Sequence, residues 1–276
     1  MHHYLKALSL FSILTLIPTT AQAGAWTAKE GDTYLKGAVN YFSTSDRFGF
    51  DDANDGFEEF SNKNFNVYGE YGIKDNLTFF ATGSLAEIEN DANGVSVSNT
   101  GVGDIDLGLR YRLIDGPVIV SVQGLFKAPY LYSEDAELPL GNGQEDFEGK
   151  LLIGKSFGKL GYGGLEAGYR FRTDEPVDEF RFLVEYGINA TEKTYLRTKL
   201  DGIIAAGSSD TGDDIFDATQ SLNPQLPLEF DLVRVEYTVG YQFTDTWAGE
   251  LTGTTAVAGS NTLNGTNIQA AIVATF

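Results

Sequence analysis

Apolar and polar residues alternate with a period of two along most of this chain, which predicts β-strands that have one apolar and one polar face. The run from residue 103 to residue 113 shows the pattern most clearly. Its apolar positions include Ile105, Leu107 and Leu109, and its polar positions include Asp106 and Arg110. The alternation therefore predicts an all-β fold.

The same pattern predicts twelve strands, at residues 34–43, 65–73, 77–85, 103–113, 118–127, 147–155, 162–172, 179–188, 194–203, 232–243, 247–258 and 266–276. Each is about as long as a tilted strand that crosses an outer membrane. After residue 23 the sequence has no apolar run that could cross as a helix, and a bilayer can otherwise be crossed only by a closed barrel. We therefore predict a transmembrane antiparallel up-and-down β-barrel of about twelve strands, which forms one outer-membrane domain over residues 24–276.

The connections between the predicted strands alternate in length. Short ones fall near residues 74–76, 114–117, 157–161, 189–193 and 244–246, and longer ones near 44–64, 86–102, 128–146, 205–231 and 259–265, although 173–178 is brief. Outer-membrane barrels have short periplasmic turns and longer external loops. This asymmetry predicts that both termini lie in the periplasm and that the long loops lie outside the cell.

The N-terminal residues have the features of a cleaved export signal. Lys6 supplies a basic start, an apolar stretch runs from Ala7 to Ile17, and Ala21 and Ala23 fit an A-x-A cleavage site. The apolar stretch is too short to span a bilayer as a helix. We predict that residues 1–23 are a signal peptide and that the protein is exported to the outer membrane of a Gram-negative bacterium.

The sequence finishes on an alternating strand whose apolar face ends at Phe276. Frayed chain ends usually carry polar residues, so an aromatic residue in this place needs a reason. The ending resembles the signal by which the outer-membrane assembly machinery recognises its client barrels. We therefore predict that Phe276 is the assembly signal and that this machinery is a partner of the chain.

A soluble β-sandwich is the competing fold. Aromatic residues occur near the predicted periplasmic ends of the strands, on the apolar face, at Tyr71, Phe79, Tyr111, Tyr186, Tyr241, Phe243, Trp247 and Phe276. Such girdles suit the headgroup interface of a membrane barrel. A sandwich does not explain the girdle, the export signal and the terminal aromatic residue together.

The chain is acidic, with a formal net charge of −20. Much of the excess acid falls in the predicted external loops, at Asp46, Asp51, Asp52, Asp55, Glu58, Glu59, Glu134, Asp135, Glu137, Glu145, Asp146, Asp174, Glu175, Asp178, Asp210, Asp213, Asp214 and Asp217. Nucleic acid requires a basic surface, so it is not an expected partner. The expected partners are outer-membrane lipid, lipopolysaccharide and a small-molecule solute, and we expect a monomer.

Catalytic and metal-binding chemistry has little support in the sequence. His2 and His3 are the only histidines, Met1 is the only methionine and cysteine is absent, so nothing after residue 23 offers an imidazole base or a soft metal ligand. The run from Asp51 to Gly56 faintly resembles a calcium loop, but Ala53 stands at a ligand position. We predict no enzyme activity, no cofactor and no metal site; an outer-membrane enzyme is the less favoured alternative.

One strand and hairpin resemble a known family. Residues 103–113 (GDIDLGLRYRL) and the hairpin at residues 70–77 (EYGIKDNL) resemble a bacterial outer-membrane family that is named for the meta-pathway of phenol degradation. The resemblance covers roughly residues 65–125. It implies a channel or transporter for small, often aromatic or hydrophobic compounds, distantly like fatty-acid transporter barrels, and it identifies no substrate-binding residue.

The predicted inward face carries charges of both signs. The lumen-lining residues are Glu70, Arg110, Arg112, Lys150, Glu166, Arg170, Arg181, Glu185, Arg197, Lys199, Asp201, Arg234, Glu236 and Glu250. Opposed charges on neighbouring strands can pair. A hairpin centred on residue 191 would set Glu185 opposite Arg197 and Arg181 opposite Asp201, and the loop near 175 would set Arg172 beside Glu179 and Arg170 beside Arg181.

Two functions fit such an interior. The charges could neutralise each other and fill a structural barrel, or they could line a water-filled path that selects solutes. Small inward residues between 247 and 276, among them Ala248, Thr252 and Ala256, leave space for a path. We therefore predict a narrow passive channel, with residues 24–32 or the loop at 205–231 as candidate plugs.

Overall fold

The computed structural model describes residues 24–49, 57–208 and 223–276. The predicted signal peptide with Ala21 and Ala23, the possible calcium loop from Asp51 to Gly56, and the whole acidic run at 210–217 lie outside the described residues. No helix within the described ranges is long and apolar enough to span a membrane.

Across the described ranges, twelve strands form a closed barrel in which every strand pairs antiparallel with its neighbours in sequence and β1 pairs with β12. The strands are β1 Thr33–Phe48, β2 Phe57–Lys74, β3 Leu77–Ala92, β4 Val95–Ile114, β5 Ile119–Ala128, β6 Asp146–Ser156, β7 Tyr162–Arg172, β8 Glu179–Asn189, β9 Thr194–Ala205, β10 Asp231–Gln242, β11 Trp247–Ser260 and β12 Thr262–Thr275. A 3-10 turn, Gly158–Leu160, precedes β7. The predicted fold class is confirmed.

The alternation in the sequence becomes an outer and an inner face. In β1, Val39 is 62% exposed on the outside, whereas its neighbours Ala38 and Asn40 are buried inside. Leu251, Ile268 and their outward neighbours continue this exposed apolar belt around the barrel. An exposed apolar surface of this extent suits a hydrocarbon surrounding rather than water.

The two ends of the barrel differ. We call the end where β1 starts and β12 stops the terminal end, and the opposite end the loop end. Thr33 and Phe276 exchange backbone hydrogen bonds of 3.1 and 2.9 Å at the terminal end. The predicted aromatic girdle lies there too, with every member exposed on the outer wall. Trp247 and Phe276 meet edge to face, with ring centroids 6.2 Å apart.

Several strands extend beyond their predicted bounds at the loop end. β2 has 18 residues and β4 has 20, so much of the predicted loops at 44–64 and 86–102 is strand. β3 and β4 are joined by a tight turn at Asn93 and Gly94, both with positive φ, which is the geometry of a type I′ hairpin. The predicted loop at 259–265 is likewise strand on both sides of Asn261.

The face pattern inverts in these extensions, and this explains why the predicted bounds were wrong. Lys63 and Glu87 face outwards and form an exposed ion pair of 3.1 Å. Phe60 and Ile88 face inwards and are fully buried. Because the outer face becomes polar where the strands leave the apolar belt, the apolar-out alternation that predicts a lipid-facing strand stops there.

The predicted pairing registers are wrong by two residues. In the β8–β9 hairpin, Glu185 lies opposite Lys199 and Leu183 lies opposite Asp201. In the β7–β8 pair, Arg170 lies opposite Glu179 and Gly168 lies opposite Arg181. A shift of two leaves every side chain on its predicted face, because the strand period is two. The inward and outward assignments therefore hold while the partners change.

Candidate functional site: the barrel interior

Ion pairs cover the inner wall formed by β5 to β8. Arg170 Nε donates to Glu148 at 3.0 Å, and Arg170 Nη1 lies 3.3 Å from Asp146. Lys127 pairs with Asp146 at 3.2 Å, and Lys150 pairs with Glu148 at 3.0 Å. Each acid thus contacts several bases. Their attraction offsets the free energy that the carboxylate loses when it is removed from water.

The predicted partnership of Arg172 and Glu179 is present in spite of the shifted register. Arg172 Nη2 donates to Glu179, and Arg181 Nε donates to the other oxygen of the same carboxylate at 2.8 Å. Arg172 reaches Glu179 diagonally rather than from the opposite position. Long guanidinium side chains can span such a diagonal.

A second network covers β1 and β8 to β11. Glu250 is buried and accepts from Lys36 at 2.6 Å and from the Tyr195 hydroxyl at 2.7 Å. Arg197 lies 3.6 Å from Glu250, not opposite Glu185 as predicted. Further pairs of this network are Arg197 with Glu236 at 3.8 Å, Lys199 with Glu185 at 3.7 Å, Lys199 with Glu236 at 3.4 Å, and Arg234 with Asp201 at 2.8 Å.

Residues 24–32, which we call the N-terminal segment, lie inside the barrel at the terminal end. Backbone hydrogen bonds of 2.9 and 3.0 Å tie Gly31 and Asp32 to Gly72 at the end of β2. From there the segment follows the inner wall. Its backbone and side chains bond to the turn before β3, to β3 itself, to β4 and to β5.

Hydrogen bonds that involve side chains hold this path. Thr27 Oγ1 donates to the Asp75 carbonyl at 2.7 Å, and the Ala28 amide donates to Thr78 Oγ1 at 2.8 Å. Arg110 Nη1 donates to the Trp26 carbonyl at 3.0 Å, and Ser121 Oγ donates to the Ala25 carbonyl at 2.6 Å. Backbone groups that the segment takes out of water are thus satisfied by inward side chains of the barrel.

The segment is also packed. Ala25 is 2% exposed and forms an apolar cluster with Ile119 and Leu152. The Trp26 ring meets Tyr162 edge to face at 5.9 Å. It fills the space beside Gly154, where an added Cβ would lie only 2.5 Å from the ring. One of the two predicted plugs therefore lies in the lumen, across the inner wall from β3 to β7.

At the loop end, the connection between β5 and β6 folds into the barrel. Leu138 is 1% exposed and packs against Phe60, Ile88 and Leu263, which come from β2, β3 and β12. The Leu138 carbonyl accepts a 2.8 Å hydrogen bond from Asn99. A connection that begins on one side of the barrel thus reaches the opposite wall and narrows the opening.

Two further groups hold this connection in place. Tyr132 donates to Asp104 on the inner wall at 2.7 Å, and burial together with that hydrogen bond raises the pKa of the Tyr132 phenol. Asn223, from the described part of the second predicted plug, donates to the Pro139 carbonyl at 2.7 Å. The sequence did not predict that residues 129–145 fold into the barrel, because their polar and small residues do not distinguish this segment from an ordinary surface loop.

The barrel interior also holds a cavity of about 740 Å³, which we call the chamber. Leu140 of the β5–β6 connection lines it, whereas no residue of the N-terminal segment does. Neutral polar residues of β1, β2, β3, β11 and β12 line one half, including Asn40, Asn64 and Gln269. The other half carries the ion-paired residues Lys199, Asp201, Arg234 and Glu236 together with Asp104 and Asp106. Both sides thus carry polar groups. Apolar side chains line the chamber beside them, among them Ile88, Leu140, Leu183, Phe230 and Leu263.

The structure distributes the fourteen predicted lumen residues unevenly. Four of them line the chamber: Lys199, Asp201, Arg234 and Glu236. The remaining ones take part in ion pairs on the inner wall: Glu70, Arg110, Arg112, Lys150, Glu166, Arg170, Arg181, Glu185, Arg197 and Glu250. Arg112 pairs with the exposed Asp115 at the terminal end. Sequence reasoning missed the amide residues of the chamber because it searched the inward face for charges.

No protein-family model and no curated protein sequence matches the chain. Solved structures do match. The COG4313 outer membrane channel from Pseudomonas putida F1 is 15% identical, with coverage of 93% of this chain and 100% of that chain and a TM-score of 0.72. The NanC porin is 8% identical, with coverage of 86% and 98% and a TM-score of 0.56.

The translocator domain of autotransporter NalP from Neisseria meningitidis is 12% identical, with coverage of 90% and 89% and a TM-score of 0.52. At such identities the likeness establishes the fold, which is a porin-like β-barrel of the outer-membrane type. The sequence resemblance of residues 65–125 to the phenol meta-pathway family stays a resemblance, because no family model matches.

Proposed function

We propose that the protein is a monomeric outer-membrane channel that passes small solutes passively and that its N-terminal segment closes the periplasmic end. In this proposal the terminal end faces the periplasm and the loop end faces the exterior. The observation that carries it is the chamber of about 740 Å³ in the barrel interior, which is lined by inward residues of the strands and by Leu140 of the connection at 129–145. A barrel that served only as a scaffold has no use for such a space.

The names of the similar structures support a transport role, because two of them are described as a channel and a porin. The apolar outer belt and its aromatic girdle support insertion into a membrane with lipid and lipopolysaccharide around it. The absence of His and Cys after residue 23 argues against the enzyme alternative.

The amide and charged groups of the chamber favour hydrophilic solutes over the aromatic or hydrophobic compounds that the sequence resemblance implies. An apolar solute in the chamber would cover amide and carboxylate groups without replacing the hydrogen bonds that water gives them, which is costly. A small hydrophilic solute can replace those bonds. We therefore propose hydrophilic molecules that fit the chamber as the transported class.

The competing proposal is a structural barrel that passes no solute. A measurement of solute flux distinguishes the channel from this structural barrel. Refolded full-length protein and a variant without residues 24–30 are placed in liposomes, and swelling is measured in isosmotic solutions of uncharged solutes of increasing size. The channel predicts swelling that is faster than in protein-free liposomes, that slows with solute size and that is fastest for the variant. If neither protein exceeds protein-free liposomes for any solute, the proposal is wrong.

A further inference from the structure

The neutral half of the chamber is built from amide side chains that are joined to each other. Asn40 Nδ2 donates to Asn64 Oδ1 at 2.9 Å, and Gln269 Nε2 donates to Asn40 Oδ1 at 2.8 Å. Asn64 Nδ2 donates to Asn62 at 2.9 Å, and Asn62 donates to Gln225 at 2.9 Å. We call these residues and Asn267 the amide ladder.

The ladder is a product of strand register. Asn40 lies opposite Gln269 on β12 and opposite Asn64 on β2, so the three amides face inwards in one row. Thr252 and Thr254 extend the row on β11, where they lie opposite Gln269 and Asn267. Thr82 extends it on β3, where it accepts a 3.1 Å hydrogen bond from Asn66. No charged residue interrupts this row within the described lining of the chamber.

Each amide can make more hydrogen bonds than the ladder uses. A carboxamide offers two donor hydrogens and two acceptor lone pairs, whereas Asn64 donates one bond and accepts one within the ladder. The remaining positions are available to the contents of the chamber. A row of groups that each donate and accept matches a molecule whose own groups also do both, and hydroxyl groups have that property.

The charged half argues against an anionic ligand. Four acids and two bases line the chamber: Asp104, Asp106, Asp201 and Glu236, and Lys199 and Arg234. Both bases already pair with acids, Arg234 with Asp201 through two hydrogen bonds of 2.9 and 2.8 Å and Lys199 with Glu236 at 3.4 Å. Paired carboxylates still accept hydrogen bonds from hydroxyl groups.

From this arrangement we infer that the chamber binds uncharged, polyhydroxylated solutes of the size of a short oligosaccharide or polyol, held by the amide ladder. The inference rests on the proposed function, since it names the substrate class of the channel. The volume of the chamber lies within the range of about 300–1,000 Å³ that is usual for small-molecule sites. Phe42, which also lines the chamber, offers an aromatic surface beside the amides.

Binding can be measured without conduction. Saturation-transfer difference NMR on the refolded barrel in a sugar-free detergent tests three neutral probes, namely sucrose, raffinose and maltotriose, together with phenol and trigalacturonate. We expect transfer to at least one neutral probe, and none of comparable strength to phenol or trigalacturonate. Transfer to phenol or to trigalacturonate alone, or transfer to no probe, would overturn the inference.

Variants identify the surface that binds. Asn40→Leu and Gln269→Leu each remove an amide from the ladder and should weaken binding roughly threefold to tenfold, the effect of one or two net hydrogen bonds. Gln242→Leu is the matched control, because Gln242 bonds to its own turn at the terminal end, outside the chamber. Heat-modified gel migration checks that each variant folds. Unchanged binding in both folded ladder variants would also overturn the inference.

The binding result and the proposed function can fail separately. A barrel that makes liposomes swell but binds no neutral probe is a channel for another solute class. A barrel that binds a neutral probe but produces no swelling retains the site and lacks the passage.

Discussion

The guanidinium group of Arg110 joins the barrel wall to the N-terminal segment, since its Nη1 donates to the Trp26 carbonyl at 3.0 Å. The same nitrogen lies 3.2 Å from Glu70, and Nε donates to Gln123 at 3.2 Å. Arg110 and Glu70 are both buried. One side chain therefore connects β2, β4 and β5 to the segment that crosses the terminal end.

Arg110 should contribute far more to stability than its neighbour Arg112. Arg110→Met leaves the Glu70 carboxylate buried without its base, which should cost about 3–5 kcal/mol. Arg112→Met is the matched control on the same face of the same strand. Its partner Asp115 is largely exposed, so the expected cost is about 0–1 kcal/mol. Urea unfolding of the barrel in lipid vesicles measures both; equal losses would contradict the account.

The position of Trp26 can be tested with a single methyl group. In Gly154→Ala, the added Cβ would lie 2.5 Å from the Trp26 ring, which must shift. We expect tryptophan fluorescence to move to longer wavelength as the ring gains contact with water, and ion leakage through reconstituted barrels to rise. Gly149→Ala on the same strand is the control, because nothing lies within 4 Å of its added Cβ. The segment is misplaced if the two variants behave alike.

Phe276 should be needed for assembly. It closes the barrel through its backbone bonds with Thr33 and packs its exposed ring against Trp247. Deletion of Phe276 should therefore deplete the protein from the outer membrane and leave it to periplasmic proteases. Phe276→Tyr keeps an aromatic ring and should retain assembly. Fractionation and immunoblotting measure the levels, and a normal outer-membrane level of the deletion variant would rule out this role.

The open channel should prefer cations weakly, and only at low salt. Most interior bases are neutralised by buried acids, among them Arg170 by Glu148 and Lys36 by Glu250. The external acidic residues are then left to raise the cation concentration at the mouth. Their influence extends over roughly 10 Å at 0.1 M salt and about 3 Å at 1 M. Reversal potentials across a KCl gradient measure the preference; clear anion selectivity at low salt would contradict the prediction.

The strand faces could be predicted from the sequence because they depend on a local period. Val39 and Asn40 are adjacent, so one faces outwards and the other faces inwards whichever residues of the neighbouring strands they lie opposite. The partners could not be predicted, because register depends on the geometry of each turn. A hairpin centred on residue 191 predicts Arg197 opposite Glu185, whereas in the structure Arg197 lies opposite Gly187.

The contents of the lumen could not be predicted in detail either. Trp26 and Leu138 occur in segments that have no period. Leu138 is buried and Trp26 is partly buried, in both cases by contacts with strands far away in the sequence. The glycine at residue 154 makes room for Trp26, but an isolated glycine in a strand has several possible reasons. The amide ladder likewise becomes visible only when the register aligns Asn40, Asn64 and Gln269 in one row.

Single-channel recording on a variant without residues 24–30 tests the central claim most directly. This deletion keeps Gly31 and Thr33, which bond to Gly72 and Phe276, and removes the part that lies along the inner wall. Full-length protein and variant are inserted separately into planar bilayers. The account predicts steady currents from the variant, with larger and longer openings than those of the full-length protein. A variant that folds and inserts but stays silent over many insertions would contradict a channel closed by its own N-terminal segment.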